Sequence, residues 1–348
     1  MSIIDKEVLR KALMATGADS VRFTDTQPSR HKDHWYAWTN AGYAGEMLYL
    51  ERHRELRTGY LGVPELLEGA QTAVVVGVSY DHHVPQASPT QGVIAKYAQG
   101  NDYHDVLRVI TKDLIAVIKL YYPNSRSRGS TDSAPIPERE LAVRSGLGWQ
   151  GRHTNVIAHG LGNFFFLSVI LTTADIPPDN NSDVLEGCGT CTSCMAACPT
   201  GAIVAPNTLN PLRCISYWTI EAKSSIPVEL RPLFGNNIFG CDICLNACPW
   251  NRFAKVTSLN GFQWDSTRGS MELDKLFITL ADDEGFLSMF KRTPVLRAGR
   301  EGLRRNVAVA MGNSGKRSFI PVLEGGLDDD SPIVIEHIEW AISELLRC

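Results

Sequence analysis

Eight of the chain's nine cysteines stand between residues 188 and 248, and the ninth, Cys348, is the final residue. Thiols this crowded hold metal more often than they form disulfides in a reducing compartment. The first run, CGTCTSCMAACPTG at 188–201, reads C-x2-C-x2-C-x3-C-P through Cys188, Cys191, Cys194, Cys198 and Pro199. That is the bacterial ferredoxin spacing, in which three cysteines wrap one iron-sulfur cube and the fourth reaches another. Zinc, the alternative, favours separated pairs and often histidine. A second run, Cys241, Cys244, Cys248 and Pro249, is one cysteine short, and Cys214 between the runs makes up the number. Eight thiolates suit two 4Fe-4S clusters. The crossed pattern assigns Cys188, Cys191, Cys194 and Cys248 to one and Cys198, Cys214, Cys241 and Cys244 to the other. Cys214 lies outside any motif and is the least constrained of the set. Clusters this close together pass single electrons.

The rest of the chain must give those electrons a destination. With 348 residues, 44% of them hydrophobic and 21% charged, it can bury the cores of two or three domains. The stretches at 3–17 and 101–122 have helical periodicity, the second opened by Asn101 or Asp102 as cap, and Pro137 starts a helix that stops at Gly146. SVRFT at 20–24, AVVVGVSY at 73–80, TNVIA at 154–158 and NFFFLSVILT at 163–172 read as strands. Interleaved helices and strands predict an α/β (α+β) domain over residues 1–177. Neither G-x-G-x-x-G nor a P-loop is present, so a dinucleotide or P-loop fold is not supported. The longest apolar run, FFFLSVIL at 164–171, is too short for a membrane span, and the amino terminus reads as a mature cytoplasmic start.

Three segments share a resemblance. TDSAPIPERELAVRSGLGWQGRHTNVI at 131–157, YAQGNDYHDVLR at 97–108 and CISYWTIEAKSSIPVELRPLFGNNIFGCDICLNACPWN at 214–251 resemble the epoxyqueuosine reductases, and the likeness covers most of the chain. It implies a cobalamin in the amino-terminal domain, two 4Fe-4S clusters in a ferredoxin-like domain at 178–255, and reduction of epoxyqueuosine in tRNA. The electron donor is not identified by the sequence.

Opening an epoxide to an alkene takes two electrons and two protons, so an acid is required. Asp132 matches the family's proton-donor segment. An aspartate with its ordinary pKa near 4 is ionised at neutral pH, so the role demands an apolar or anionic setting, for which Ser133, Ala134, Pro135 and Ile136 are the candidates. A turn residue before the 137–145 helix is the other reading of Asp132. Arg152, His153 and Asn155 follow closely spaced glycines that let backbone approach a flat corrin. Arg57, Tyr97, Ser216, Cys241 and Asp242 match cofactor-contacting stretches of the family. Tyr103 and His104 open a helix that faces the reacting centre, whereas His82 and His83 read as surface.

After a linker at about 256–270, apolar residues at helical spacing, broken at GNSG and DDDSP, predict a small HEAT-like helical tail over 256–348. Between 291 and 317 stand eight basic residues against Glu301 alone. This basic patch predicts tRNA phosphate contact through Arg297, Arg304 and Arg305, with Lys223 extending it. Two rivals remain. A reductive dehalogenase shares the cofactors but carries a twin-arginine export signal, absent here; a simple electron-transfer module explains the cysteines but not the 131–157 stretch or the basic tail. The expected protein is a cytoplasmic monomer.

Overall fold

In the computed structural model, residues 5–179, 187–263 and 271–347 are described. Cys348 lies outside them, as does most of the linker's second half.

The amino-terminal part is built on a four-stranded antiparallel sheet in the order Ser20–Asp25, Thr72–Ser79, Phe165–Thr172, Ser127–Ser130. Every residue of Thr72–Ser79 is buried, which is why AVVVGV reads as an unbroken apolar run rather than an alternating one. Its side chains still alternate between two cores. Val74, Val76 and Val78 meet the helices Lys6–Met14 and Tyr103–Tyr121 through Leu9, Leu13, Leu107 and Leu114. Ala73 and Val75 meet Leu141 and Ala142 of the short helix Glu138–Arg144 on the other face. The long helix starts where expected: the Asp102 side chain accepts the His104 N–H at 3.0 Å.

This sheet, with helices on both faces, positions the ends of Ser127–Ser130 and Phe165–Thr172 beside the start of the long helix. The expected cuts at 177 and 255 do not separate independent bodies. Gln91–Ile94 of the first segment pairs in parallel with Asn237–Phe239 of the second and antiparallel with Met271–Glu272 of the third. The core beneath that small sheet joins Ile94 and Ala98 to Phe239 and to Leu303, Val307 and Ile338 of the tail.

The tail is helical: Leu273–Thr279, Asp283–Phe290, Gly299–Asn313, Ile320–Glu324 and Pro332–Arg347. Gly299–Asn313 and Pro332–Arg347 form its main pair. They touch at Gly312, where an added Cβ would meet Ala341 Cα at 2.9 Å, so the close approach requires glycine. The breaks fall at the expected places, with Gly315 in the left-handed region and Pro332 opening the last helix. Among the described residues, no helix is long and apolar enough to cross a membrane.

Candidate active site and cluster-binding region

A cleft opens between the long helix, the end of the sheet and the glycine-rich loop. It is lined by Tyr97, Tyr103, Asp132, Glu138, Arg139, Asn155, Asn163 and Phe166. Tyr103 and His104, both on the first turn of the long helix, lie in or beside it, and Tyr103 stacks on Phe166 with ring centres 4.5 Å apart.

Asp132 follows the strand Ser127–Ser130 in a loop anchored by the Thr131 hydroxyl, 2.6 Å from that of Ser168. Its backbone is left-handed, with φ 55°. The Tyr103 hydroxyl donates to Asp132 Oδ2 at 3.0 Å, and the Asp132 N–H donates to Glu138 Oε1 at 2.9 Å. The apolar enclosure expected from the neighbours of Asp132 does not form: Asp132 and Ser133 are exposed, Ala134 and Pro135 half-buried, and only Ile136 is buried. The group that stands beside Asp132 is the Glu138 carboxyl. Burial first, and the Asp132 charge second, push Glu138 up to about 8, against the pull of Arg57 and Arg139. Sequence reasoning missed Glu138 because a glutamate in the first turn of a helix is ordinary.

The other expected contacts divide. Arg57 lies over the Trp35 ring, 5.4 Å from its centre, and Nη1 donates to the Ile136 carbonyl at 3.4 Å. Its Nε is buried without a partner, the kind of donor a polar cofactor edge would satisfy. Asn155 lines the cleft. His153 is buried behind it; Nδ1 accepts the Asn155 N–H at 3.2 Å, and burial lowers its pKa to about 4, so it is neutral. Arg152 turns the other way, donating to the Gly189 carbonyl at 2.6 Å in the first cysteine run. Ser216 sits on the helix Ile215–Ile220 directly after Cys214 and offers that thiol a backbone N–H. His82 is a correction: it is buried, with Nδ1 2.9 Å from the Tyr80 carbonyl and Nε2 3.0 Å from Gln99 Oε1, while His83 is exposed.

The thiols fall into two groups. Cys248 feels the charges of Cys188, Cys194 and Cys191, and packs with Cys188 against Trp149 and Trp250. Cys244 feels Cys241, Cys214 and Cys198, and burial drives it and Cys241 upward, Cys241 to about 12. Neutral thiols so buried are poor company for one another as thiolates without a cation. Iron supplies that compensation, and backbone N–H groups around Cys198, Cys214 and Cys241 supply the hydrogen bonds cluster sulfur accepts.

The second cysteine run approaches the cleft through Gly240 and Asp242, on either side of Cys241. Asp242, next to Cys241, accepts the Lys96 N–H at 2.6 Å. Burial raises the Tyr97 hydroxyl strongly, with further contributions from Asp242 and, more weakly, Asp132. Tyr97 lines the cleft with Asp132, its ring packs against Gly240, the residue before Cys241, and it stands edge-on to Tyr103 at 6.1 Å.

The basic patch is mostly committed within the protein. Arg305 is 1% exposed and donates to the carbonyls of Trp218, Ala222 and Ser224 at 2.5, 3.1 and 2.6 Å. Arg304 is buried between Asp329 and the Phe277 ring. Neither is free for a phosphate, which corrects the expectation for both. Lys223 Nζ donates to the carbonyls of Arg297 and Ala298, each at 2.8 Å. Arg297 remains exposed, paired to Glu221 at 2.8 Å and lying over Tyr49.

Two groups of free cysteines in a chain that also holds a carboxylate-bearing cleft define an iron-sulfur oxidoreductase, and residues 187–251 match the model of the 4Fe-4S double cluster binding domain. Residues 62–133 match the model described as Epoxyqueuosine reductase QueG, DUF1730. The chain is 40% identical to the epoxyqueuosine reductase of Escherichia coli over 336 residues, 95% of this chain and 87% of that one. It is 39% identical to that of Pseudomonas aeruginosa over 334 residues, 94% of this chain and 90% of that one. The chain belongs to the epoxyqueuosine reductase family. Similar solved structures include an epoxyqueuosine reductase with an epoxyqueuosine-modified tRNA-Tyr stem loop, at TM-score 0.87 and 27% identity over 98% of this chain and 90% of that one. Another is the Bacillus subtilis enzyme with its catalytic loop swung out of the active site, at TM-score 0.86 and 26% identity, with the same coverage.

Proposed function

We propose that this chain reduces epoxyqueuosine to queuosine in tRNA, with Asp132 as the acid. The observation that carries the assignment of roles is the position of Tyr97, which packs against Gly240, the residue before Cys241, and lines one cleft with Asp132. Family membership supports cobalamin and two 4Fe-4S clusters as its cofactors. The residues fit them: Tyr97 and Asn155 line the cleft, the Arg57 Nε is buried without a partner, Ser216, Cys241 and Asp242, with Arg152 and His153, are assigned to the corrin on family likeness, and the thiols hold the clusters in the two groups of four described above. When bound, cobalamin supplies a strongly reducing, nucleophilic metal for the epoxide carbon, recharged one electron at a time through the clusters.

The protein's own part is positional and protonic. The net change consumes two electrons and two protons, converts the epoxide to an alkene and releases water. Asp132 donates a proton to the oxygen as it leaves carbon, and Tyr103 holds the carboxyl in place. Stacked Tyr103 and Phe166 wall the cleft on its apolar side. Electrons reach the clusters from a donor outside the chain. Arg297, the exposed member of the patch, contacts tRNA phosphate, and Lys223, bound to the Arg297 and Ala298 carbonyls, holds that segment in place. The segments 1–177, 178–255 and 256–348 serve as cobalamin, cluster and HEAT-like tRNA-contacting regions of one cytoplasmic monomer.

Anaerobic reconstitution with iron, sulfide and cobalamin tests the reading. Iron near eight per chain, a corrin absorption band and conversion of epoxyqueuosine-containing tRNA are expected. Cys244→Ala should lose about half the iron and all turnover with a weak reductant. Zinc without corrin, or full turnover in Cys244→Ala, would overturn it.

A further inference from the structure

We propose that Glu138 is a positioning residue for Asp132: its carboxyl accepts the Asp132 N–H and holds the left-handed turn that directs the Asp132 carboxylate toward Tyr103 and the cleft. The inference rests on Asp132 as the acid and adds what keeps it aimed.

Few residues other than glycine adopt a left-handed backbone, and one at a reacting centre persists only where its surroundings over-determine it. Asp132 has φ 55° and is held from two sides. Tyr103 fixes the carboxyl, and Glu138 fixes the backbone six residues ahead of itself in the chain. Among the described residues the Asp132 N–H has Glu138 as its acceptor. Glu138 is free for this because its helix is entered through Pro137, which makes no side-chain cap.

Two carboxyls side by side would repel if both were ionised. Burial first, and the Asp132 charge second, raise Glu138 to about 8, and in either protonation state the carboxyl keeps an oxygen able to accept the Asp132 N–H. Arg57 and Arg139 are the cations that face the pair. The arrangement therefore needs an acceptor at position 138, not a negative charge. This distinguishes Glu138 from an ordinary helix-start glutamate, whose value lies in its charge.

The test compares Glu138→Gln, Glu138→Ala and Glu138→Asp in the cofactor-loaded protein. Amide hydrogen exchange over residues 130–134 is followed alongside single-turnover conversion and tRNA binding. Glu138→Gln keeps the acceptor and should stay within about threefold of wild type in both exchange and turnover. Glu138→Ala, and Glu138→Asp with its shorter reach, should exchange about tenfold faster or more at Asp132 and lose at least as much turnover, with tRNA affinity unchanged. Unchanged exchange in Glu138→Ala overturns the proposal whatever the turnover. Faster exchange with full turnover leaves Glu138 as the holder of the loop and overturns Asp132 as the acid.

Discussion

The Tyr103 hydroxyl donates to Asp132 Oδ2 at 3.0 Å, linking the first turn of the long helix to the loop that ends the edge strand of the sheet. The helix is fixed by its apolar face against the sheet, so the carboxylate is aimed by an element that does not move with its own loop.

Tyr103→Phe removes that donor and leaves the ring packing on Phe166 and Tyr97 intact. A hydrogen bond to a charged group contributes about 1.5–3 kcal/mol, so single-turnover conversion should fall about tenfold to a hundredfold. tRNA affinity and corrin occupancy should not change. An unaltered rate would show that the carboxylate is held some other way.

Arg305 and Arg297 should separate stability from binding. Arg305→Ala strands three backbone carbonyls and should destabilise the protein by about 3 kcal/mol or more, read as an earlier denaturant midpoint. Arg297→Ala should leave the midpoint nearly unchanged, weaken tRNA binding and reduce its salt slope by about one. The reverse pattern would return Arg305 to the RNA surface.

This contrast also shows where the sequence stops being informative. The cysteine spacings, the Asp102 cap and the helix breaks near Gly315 and Pro332 are local, and local geometry follows from neighbours in the chain. The strands at 20–25, 72–79 and 165–172 were legible for the same reason. Whether a charge faces water depends on partners far away. The acceptors of Arg305 lie in residues 218–224, more than 80 positions earlier. His82 was misread as surface because its partner Gln99 belongs to another turn, and Glu138 escaped notice because its one diagnostic bond is to a backbone N–H.

A pH dependence follows from His337, which is fully buried. Nδ1–H donates to the Ile333 carbonyl at 2.7 Å and Nε2 accepts the Ile226 N–H at 3.2 Å, so only the neutral ring fits. Burial lowers its pKa from 6.5 to about 4. The unfolded chain then binds more protons than the folded one between those values, and stability is full above pH 6.5 and falls as pH drops towards 4. The loss from this group is on the order of 3 kcal/mol. Unfolding free energies for wild type and His337→Gln, measured at pH 7.5 and 5, should converge at the lower pH. A constant difference would mean that the ring is not held neutral.

The central claim is that Asp132 delivers a proton to the oxygen leaving carbon, and single-turnover conversion by Asp132→Asn tests it most directly. The amide keeps the size of the side chain and can still accept from Tyr103, so cobalamin, iron and tRNA binding should match wild type. Conversion of epoxyqueuosine-containing tRNA to queuosine-containing tRNA, measured at equal corrin occupancy, should fall about a hundredfold to ten-thousandfold or further. A near-normal rate at full occupancy would contradict the account and move the proton to another donor in the cleft.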